Sequence, residues 1–446
     1  MPLQRLPALF ALLTLLLPLR APGAEVQVQA GPMVGYAEMR EAALWVQTTN
    51  AALVQFAYWP EGQPDQRATT PSALTQQESA YTATLVAGGL MPGTTYAYEL
   101  LLDGKQVPLN YATTFSTPPN YKDRTPPPDF TVALGGGNYV NDRLFDPPNR
   151  IPGESYHILL AIMAKNPAFM IWLGNNIYLR EADWGSRSGM LERYRHNRAQ
   201  PELQPLMASV PSIATWSSHD FGPPAADRTF LGRKQAQEAF RLYWPNPDYG
   251  LTEDLGLACS ARWGDAEFFI LDDRSFRDLT ALSDERKQIL GEAQVNWLLQ
   301  SLRKSTATFK VIVMGSPFLN PVENPEHYSA AKIERDKLLQ QITWSETGGL
   351  FFVSGGKEFG ELTKMVRASA SDVYEVTVGP LTGRPAQDTG ELNYFRVPGT
   401  TVFDRQFATL RFHGGEDARQ LTVTVFNADG DQQWTRTFNR ADMGPQ

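Results

Sequence analysis

Six short apolar segments between residues 130 and 354 each end in a loop of glycine and small polar residues. These loops begin at Gly135, Gly174, Ser217, Asp272, Gly315 and Gly355. Loops at the carboxyl ends of parallel strands converge on one face of an open α/β sheet, where ligands usually bind. The sequence therefore predicts a polar cleft in this part of the chain.

The chemistry of that cleft depends on the few ligating side chains that its loops carry. A two-metal hydrolase needs several carboxylates and imidazoles close together, on the order of 4 Å between the ions. The loops offer mainly glycine, serine and asparagine, and the side chains that could ligate are His219, Asp220, Asp272, Asp273, Glu358, Tyr139 and Tyr178. The chain has five histidines in all, so these residues alone favour a polar cleft with a weak case for metal.

Two pairs of neighbouring residues have both a functional and a structural interpretation. His219 and Asp220 could be a metal ligand or general base, or a histidine held by the adjacent acid. Asp273 and Arg274 could bind phosphate through the guanidinium, or form a buried ion pair below the strand.

Two further pairs leave similar alternatives. Ser217 or Ser218 beside His219 suggests a nucleophile, although nearness in sequence does not supply the geometry that a nucleophile requires. Lys357 and Glu358 most simply form a solvated pair, with Glu358 as a substitute ligand the alternative.

The elements that position these loops follow from hydrophobic periodicity. The apolar segments alternate with helical patterns, of which Val295, Leu298, Leu299 and Leu302 form one face. Such alternation predicts an α/β layered domain, residues 130–446, with sheets packed between helices. The last strands are expected to extend or flank those sheets.

The preceding chain has a different organisation. Residues 25–116 show short alternating strands separated by turns, which predicts a small all-β sandwich similar to fibronectin type III modules. Residues 117–129 are rich in proline and predict a semi-rigid linker. Residues 1–24 carry Arg5 before an apolar run, which predicts a cleaved signal peptide and export to the periplasm or the cell exterior.

Composition narrows the possible partners. Removing the signal peptide with its two arginines changes the net charge from −8 to −10, so nucleic acid and anionic membrane are poor candidates. No second apolar stretch of membrane length follows, and the chain is not expected to span a membrane. Cys259 is the sole cysteine, which excludes an intrachain disulfide.

Several stretches resemble the PhoD-like (alkaline phosphatase D) metallophosphatases over nearly all of the mature chain. The stretches that carry the resemblance are Trp172–Trp184 with its GNNIY turn, Arg187–Tyr194, Pro201–Pro211, His219–Gly222, Trp263–Arg274 and Arg396–Arg405. The resemblance implies a calcineurin-like sheet sandwich flanked by helices. It also implies metal-dependent phosphoesterase activity with iron, calcium or other divalent metals.

The resemblance also shows which ligand positions have changed. In the family, a cysteine stands where this chain has Gly137, and a bridging aspartate where it has Asn175. Acids are replaced by Ser217 and Ser218, an asparagine by Pro224, and the Asp and His of a GDRH loop by Gly356 and Glu358. Tyr178, His219 and Asp220 remain.

These substitutions predict the loss of the metal centre. Asn175 offers only a neutral carbonyl and the glycines offer no side chain, so a cation would lack the charge that binds it. We expect no cofactor, and a cleft that serves an anionic small molecule or a protein partner. The alternative is an active metal-dependent phosphatase or phosphodiesterase with a site rebuilt from Tyr178, His219, Asp220, Asp273 and Glu358.

Overall fold

The computed structural model of the protein describes residues 26–146, 153, 155–249, 256–367, 370–388 and 390–445. The predicted signal peptide, residues 1–24, lies outside them.

The N-terminal region is all-β. Its strands are β1 (Val28–Ala37), β2 (Glu41–Thr48), β3 (Leu53–Pro60), β4 (Ala68–Thr69), β5 (Ala73–Leu74), β6 (Thr82–Gly88), β7 (Thr95–Leu102), β8 (Lys105–Gln106) and β9 (Thr114–Ser116). One antiparallel sheet has the order β1-β2-β6, and the other has the order β4-β3-β7-β8, with β5 on β3 and β9 on β7. Side chains of β6 and β7 alternate between core and surface, as two-residue periodicity requires.

The remaining strands form two six-stranded sheets. These strands are β10 (Phe130–Gly135), β11 (Phe169–Leu173), β12 (Ser212–Thr215), β13 (Cys259–Trp263), β14 (Ala266–Ile270), β15 (Phe309–Met314), β16 (Leu350–Ser354), β17 (Glu361–Met365), β18 (Val373–Thr377), β19 (Gln406–His413), β20 (Gln420–Asn427) and β21 (Gln432–Asn439). The first sheet has the order β12-β11-β10-β19-β20-β21, and the second has the order β13-β14-β15-β16-β18-β17.

Each sheet has a parallel centre and antiparallel edges. Strands β10, β11 and β12 run parallel in the first sheet, and β14, β15, β16 and β18 run parallel in the second. The C-terminal strands join the first sheet through antiparallel pairing of β19 with β10, so the tail extends a sheet as expected. All six apolar segments noted in the sequence are strands.

Helices cover the outer faces of both sheets. They are α1 (Ile158–Met163), α2 (Arg187–Arg198), α3 (Leu203–Ser209), α4 (Ser218–Phe221), α5 (Arg233–Tyr243), α6 (Glu292–Lys304) and α7 (Lys332–Trp344). Residues of α1, α2, α3 and α5 pack on the first sheet, and residues of α6 and α7 pack on the second. None of the helices in the described residues has the length and hydropathy needed to cross a bilayer.

The inner faces of the two sheets share one hydrophobic core. Val132 and Ile171 of the first sheet belong to the same buried cluster as Phe268 and Val311 of the second. The predicted layered α/β fold, preceded by an all-β region, is therefore confirmed. Because the sheets face each other, the carboxyl ends of their parallel strands approach at one edge.

Arg419 holds the proline-dense segment before β10, residues 117–129, against the α/β domain. Its guanidinium donates to both carboxylate oxygens of Asp265, at 2.7 and 2.9 Å, and to the carbonyl oxygen of Pro128 at 2.7 Å. The side chains of Arg419 and Asp265 are only 1% and 2% exposed. This ion pair ties the β19–β20 hairpin to the turn between β13 and β14.

We expect Arg419→Ala to lower the free energy of unfolding by about 3–5 kcal/mol, because Asp265 would keep a buried charge without a partner. Chemical denaturation measures this change. The matched control is Arg436→Ala on the exposed face of β21, which should cost no more than about 0.5 kcal/mol. Equal effects of the two substitutions would contradict the assignment.

Candidate functional site

The loops at the carboxyl edges of the two sheets touch each other through their backbones. A Cβ atom on Gly315 would overlap the carbonyl oxygen of Trp216, and one on Gly355 would overlap that of Leu173. Only glycine fits at such close backbone approaches. Gly136 likewise packs on the carbonyl of Gly174, and Asp272 accepts the indole N–H of Trp216 at 2.7 Å, so the six loops identified in the sequence converge.

Asn175 lies at the centre of these loops, where the family has its bridging aspartate. Its backbone is left-handed, with φ of 49°, and its side-chain oxygen Oδ1 accepts a hydrogen bond from the backbone N–H of His219 at 3.0 Å. The carbonyl that could have replaced a carboxylate is thus directed at the main chain of α4. Asn175 joins two loops in place of a bridge between two ions.

Asp220 is completely buried, and its carboxylate is occupied by backbone donors. Oδ1 accepts from the N–H groups of Asn176 and Ile177 at 2.8 and 3.1 Å, and Oδ2 accepts from that of Ser217 at 2.9 Å. Burial raises the pKa of Asp220 to about 7, while these N–H groups oppose the shift. Asp220 therefore has a structural role: its hydrogen bonds hold the loops after β11 and β12 together.

His219 does not form the predicted pair with Asp220, because that carboxylate is already used. In the described residues its ring makes no hydrogen bond and stacks on Tyr178, with centroids 4.3 Å apart and planes at 27°. The Tyr139 ring also packs on Tyr178, with centroids 4.9 Å apart and planes at 54°. Burial lowers the pKa of His219 to about 4, so the imidazole is neutral at pH 7.

Tyr178 is poorly placed to act as a phenolate ligand. Burial raises its pKa above the ordinary value, and the charges of Glu358 and Asp220 raise it further. A phenol in this environment stays protonated unless a strong cation lies beside it. Its hydroxyl lies next to Gly137 and Gly383. A Cβ atom added to either glycine would lie 3.4 Å from this hydroxyl oxygen.

Asp273 and Arg274 adopt the ion-pair alternative. Arg274 Nε lies 3.4 Å from Asp273 Oδ1, and Arg274 Nη1 lies 2.7 Å from Glu326 Oε2. Ser316 donates its hydroxyl to the other oxygen of Asp273. The guanidinium is only 1% exposed, so an anion would have to displace these carboxylates to reach it.

Glu326 and Ser316 were not among the residues singled out in the sequence. Ser316 follows β15 in a Gly-Ser-Pro loop, and Glu326 lies in the irregular segment before α7. The only available signal for Ser316 was its place at a strand end. No sequence pattern indicated that Glu326 neutralises Arg274.

The serines beside His219 do not form a nucleophile–base pair. Ser217 is buried, and its hydroxyl oxygen faces Arg274 Nη2 at 3.5 Å. Ser218 is half-buried at the start of α4, and neither hydroxyl bonds to an imidazole nitrogen within the described residues. Pro224 is exposed on the loop that follows α4, where it supplies no donor to the site.

Lys357 and Glu358 are not a solvated pair. The Lys357 ammonium is 4% exposed and contacts Glu361 Oε1 at 2.9 Å and Glu391 Oε1 at 2.6 Å. Glu358 is exposed, and its backbone carbonyl accepts from Ala386. The sequence prediction was wrong here because the acids that hold Lys357 are supplied by β17 and by a distant loop.

Two glycines stand at positions where the resemblance implies metal ligands, and both are fixed by their surroundings. Gly137 has φ of 73°, and a Cβ there would lie 3.1 Å from Cα and Cβ of Pro380. Gly356 has φ of 76°, and a Cβ there would lie 2.6 Å from the carbonyl oxygen of Gly315. In both loops, atoms of Pro380 or Gly315 occupy the space that a ligating side chain would need.

These observations test whether the residues present fit the metal cluster that the resemblance implies. Asn175, Asp220 and Asp273 use side-chain oxygens in internal contacts, Gly137 and Gly356 have no side chain, and Glu358 is exposed. Across the part of the chain that the structure describes, no three His, Cys, Asp or Glu side chains are grouped so that they could hold an ion. The described residues do not fit the cluster.

Comparison with known families and structures agrees with the fold. The model described as PhoD-like phosphatase matches residues 148–391, and a domain of unknown function, DUF7800, matches residues 25–120. A structure of PhoD is 17% identical, covers 91% of each chain and has a TM-score of 0.74. A purple acid phosphatase, PPD1 from yellow lupin (Lupinus luteus) seeds, is 13% identical, covers 92% of this chain and 74% of its own, and has a TM-score of 0.68. None of the curated proteins matches the chain.

The role of Asp220 can be tested by an isosteric change. We expect Asp220→Asn to lower the free energy of unfolding by about 2–3 kcal/mol, because its amide N–H₂ would face a backbone donor that the carboxylate now satisfies. Thermal or chemical denaturation measures the loss. Asp227→Asn, on the loop after α4, is the control and should be nearly neutral. A neutral Asp220→Asn would show that the carboxylate is free for another task.

Proposed function

Since the chain belongs to the PhoD-like phosphatase family, we propose that it is a member that has lost its metal centre and its phosphoesterase activity. The observation that carries this proposal is the engagement of the remaining acids. Asp220 accepts from three backbone N–H groups, and Asp273 pairs with Arg274 and Ser316. The chain is also proposed to be exported, on the basis of the apolar segment after Arg5.

The retained role is binding, and a protein partner suits this edge of the molecule better than a free anion. Arg274 and Lys357, the cations nearest the loops, are both neutralised by carboxylates. Large apolar side chains stand exposed on loops that follow the site, including Leu144 at 87% and Leu231 at 95%. Apolar side chains exposed singly are common on protein surfaces, so the neutralised cations are the observation that favours a protein partner over an anion.

The proposed inactivity is tested on the purified protein with p-nitrophenyl phosphate and bis(p-nitrophenyl) phosphate, with and without added divalent metals, beside a metal analysis. We expect no stoichiometric metal and no turnover above the blank. Any residual rate should be unchanged by His219→Ala, and phosphate should bind no more tightly than about 1 mM by calorimetry.

Turnover that His219→Ala abolishes would instead establish the rebuilt metal-dependent phosphatase. His219→Ala is the informative variant, because its ring makes no hydrogen bond in the described residues. Asp220→Ala would confuse the result, since removal of that carboxylate disturbs the loops themselves.

Restoring the family's ligands should fail for a structural reason. Asn175→Asp keeps the oxygen that accepts from His219, so we expect a small effect on stability. Gly356→Asp places a side chain at positive φ against Gly315, and we expect a loss of about 1–3 kcal/mol. Differential scanning calorimetry compares the two single variants.

The triple variant Asn175→Asp, Gly356→Asp, Glu358→His should remain inactive in the same assays. Metal-dependent hydrolysis by that variant would show that the loops can still open to hold ions. In that case the loss of activity would reside in these side chains alone.

A further inference from the structure

The last strand, β21, leaves one edge of the first sheet open. Every residue from Thr435 to Asn439 is exposed except Phe438, which is half-buried. The register of β21 with β20 is regular from Asn439 back to Trp434 and shifts only beyond that point. In the described part of the chain, β21 pairs with no strand other than β20. A regular, unpaired edge of this kind can accept a further strand.

The register determines which main-chain groups face the open edge. Arg440 donates its N–H to the carbonyl oxygen of Arg419 at 2.8 Å, and hydrogen-bonded pairs recur at every second residue of an antiparallel ladder. Three residues of β21 therefore direct their N–H and C=O groups away from β20, and these are Thr435, Thr437 and Asn439. Among the described residues, only the Arg436 guanidinium bonds to any of these groups, to the carbonyl oxygen of Thr435 at 2.8 Å.

The second sheet extends beneath this open edge. Phe438 packs on Phe351 of β16 and on Tyr374 of β18, with ring centroids 5.3 and 4.6 Å apart. Because β17 lies beside β18 at the end of that sheet, a strand added to β21 would lie above β18 and β17. One face of the added strand would contact the Tyr374 ring and its neighbour in register, Lys364. The Lys364 ammonium is paired with Asp372 at 2.7 Å.

The position of β17 decides what can occupy the edge. Antiparallel pairing with a second copy of the chain would place the second sheets of both copies on the same side of one continuous sheet. The β18 strand of the second copy would then meet the space that β17 already fills. An extended segment that carries no second layer meets no such obstacle.

We propose that β21 binds an extended peptide segment of a partner protein as an added antiparallel strand. Main-chain hydrogen bonds to the three outward residues would hold the segment. An apolar side chain opposite Phe438 would pack on that ring and on Tyr374. An acidic side chain opposite Arg436 would pair with its guanidinium, which contacts no carboxylate in the described residues. This inference does not rest on the proposed function, since β21 shares no residue with the loops of the candidate site.

Fluorescence anisotropy with the peptide fluorescein-Thr-Val-Thr-Glu-Thr-amide tests the proposal, since its valine would lie opposite Phe438 and its glutamate opposite Arg436. We expect a dissociation constant on the order of 100 µM. N-methylation of the central threonine blocks an N–H that faces β21 and should weaken binding at least about tenfold. N-methylation of the valine blocks an N–H that faces away and should change binding less than about twofold. Lysine in place of the glutamate should weaken binding about threefold or more.

Variants of β21 provide matched tests on the protein. Thr437→Pro removes one outward N–H at an edge position, where proline is tolerated, and should abolish detectable binding. Thr437→Val keeps that N–H and should bind the peptide as the unsubstituted protein does. Arg436→Glu should reverse the preference in favour of the lysine peptide. That reversal decides the outcome if Thr437→Pro proves to melt at a lower temperature.

A dissociation constant above about 1 mM for the first peptide, equal binding of the two N-methylated peptides, unchanged binding to Thr437→Pro, or no reversal in Arg436→Glu would overturn the proposal. A dimer in sedimentation velocity that Thr437→Pro dissociates would also overturn it, because a second copy would then occupy the edge. None of these outcomes bears on the phosphatase assays, so this inference and the proposed function fail separately.

Discussion

Backbone contact between the loops of two facing sheets is the constraint on which the site depends. Gly315 and Gly355 admit no side chain because carbonyl groups of Trp216 and Leu173 occupy that space. The loops are thus held by main-chain packing and by the core between the sheets. Such a scaffold needs no ion to bring the loops together, so the ligating side chains could change while the fold persisted.

Positive charge at this edge comes from the protein itself. Arg274 and Lys357 each contact two carboxylates there, and both are almost inaccessible to solvent. Arg277 and Arg396 add a second cation to the two groups. A buried ion pair has a large desolvation cost that only good geometry and further hydrogen bonds offset. The hydroxyl of Ser316 and the amide of Asn320 supply such bonds, to Asp273 and to Glu361 respectively. The carboxylates at this edge are therefore paired with cationic side chains of the protein and do not require a bound cation.

The sequence predicted the strands well, because β11 and β15 are short apolar runs that end in glycine loops. It did not predict that β2 is buried on both faces. Alternating strands usually have one exposed face, but Gln47 of β2 is buried and donates to the hydroxyl of Tyr243 in α5, a contact between residues far apart in sequence. The error at Lys357 has two sources: Glu391 lies 34 residues away, and the burial of the nearby Glu361 depends on the packing of β17 in its sheet.

The N-terminal sandwich is bonded to the rest of the protein across long stretches of chain. Trp45 donates its indole N–H to the carbonyl of Leu242 at 2.7 Å, and Tyr98 donates its hydroxyl to the carbonyl of Ala208 at 2.8 Å. These contacts span 197 and 110 residues, and contacts of such high order form late in folding. The N-terminal sandwich thus cannot complete its burial until α3 and α5 have been synthesised. Under the export proposed above, this delay would keep the N-terminal sandwich incompletely folded during translocation.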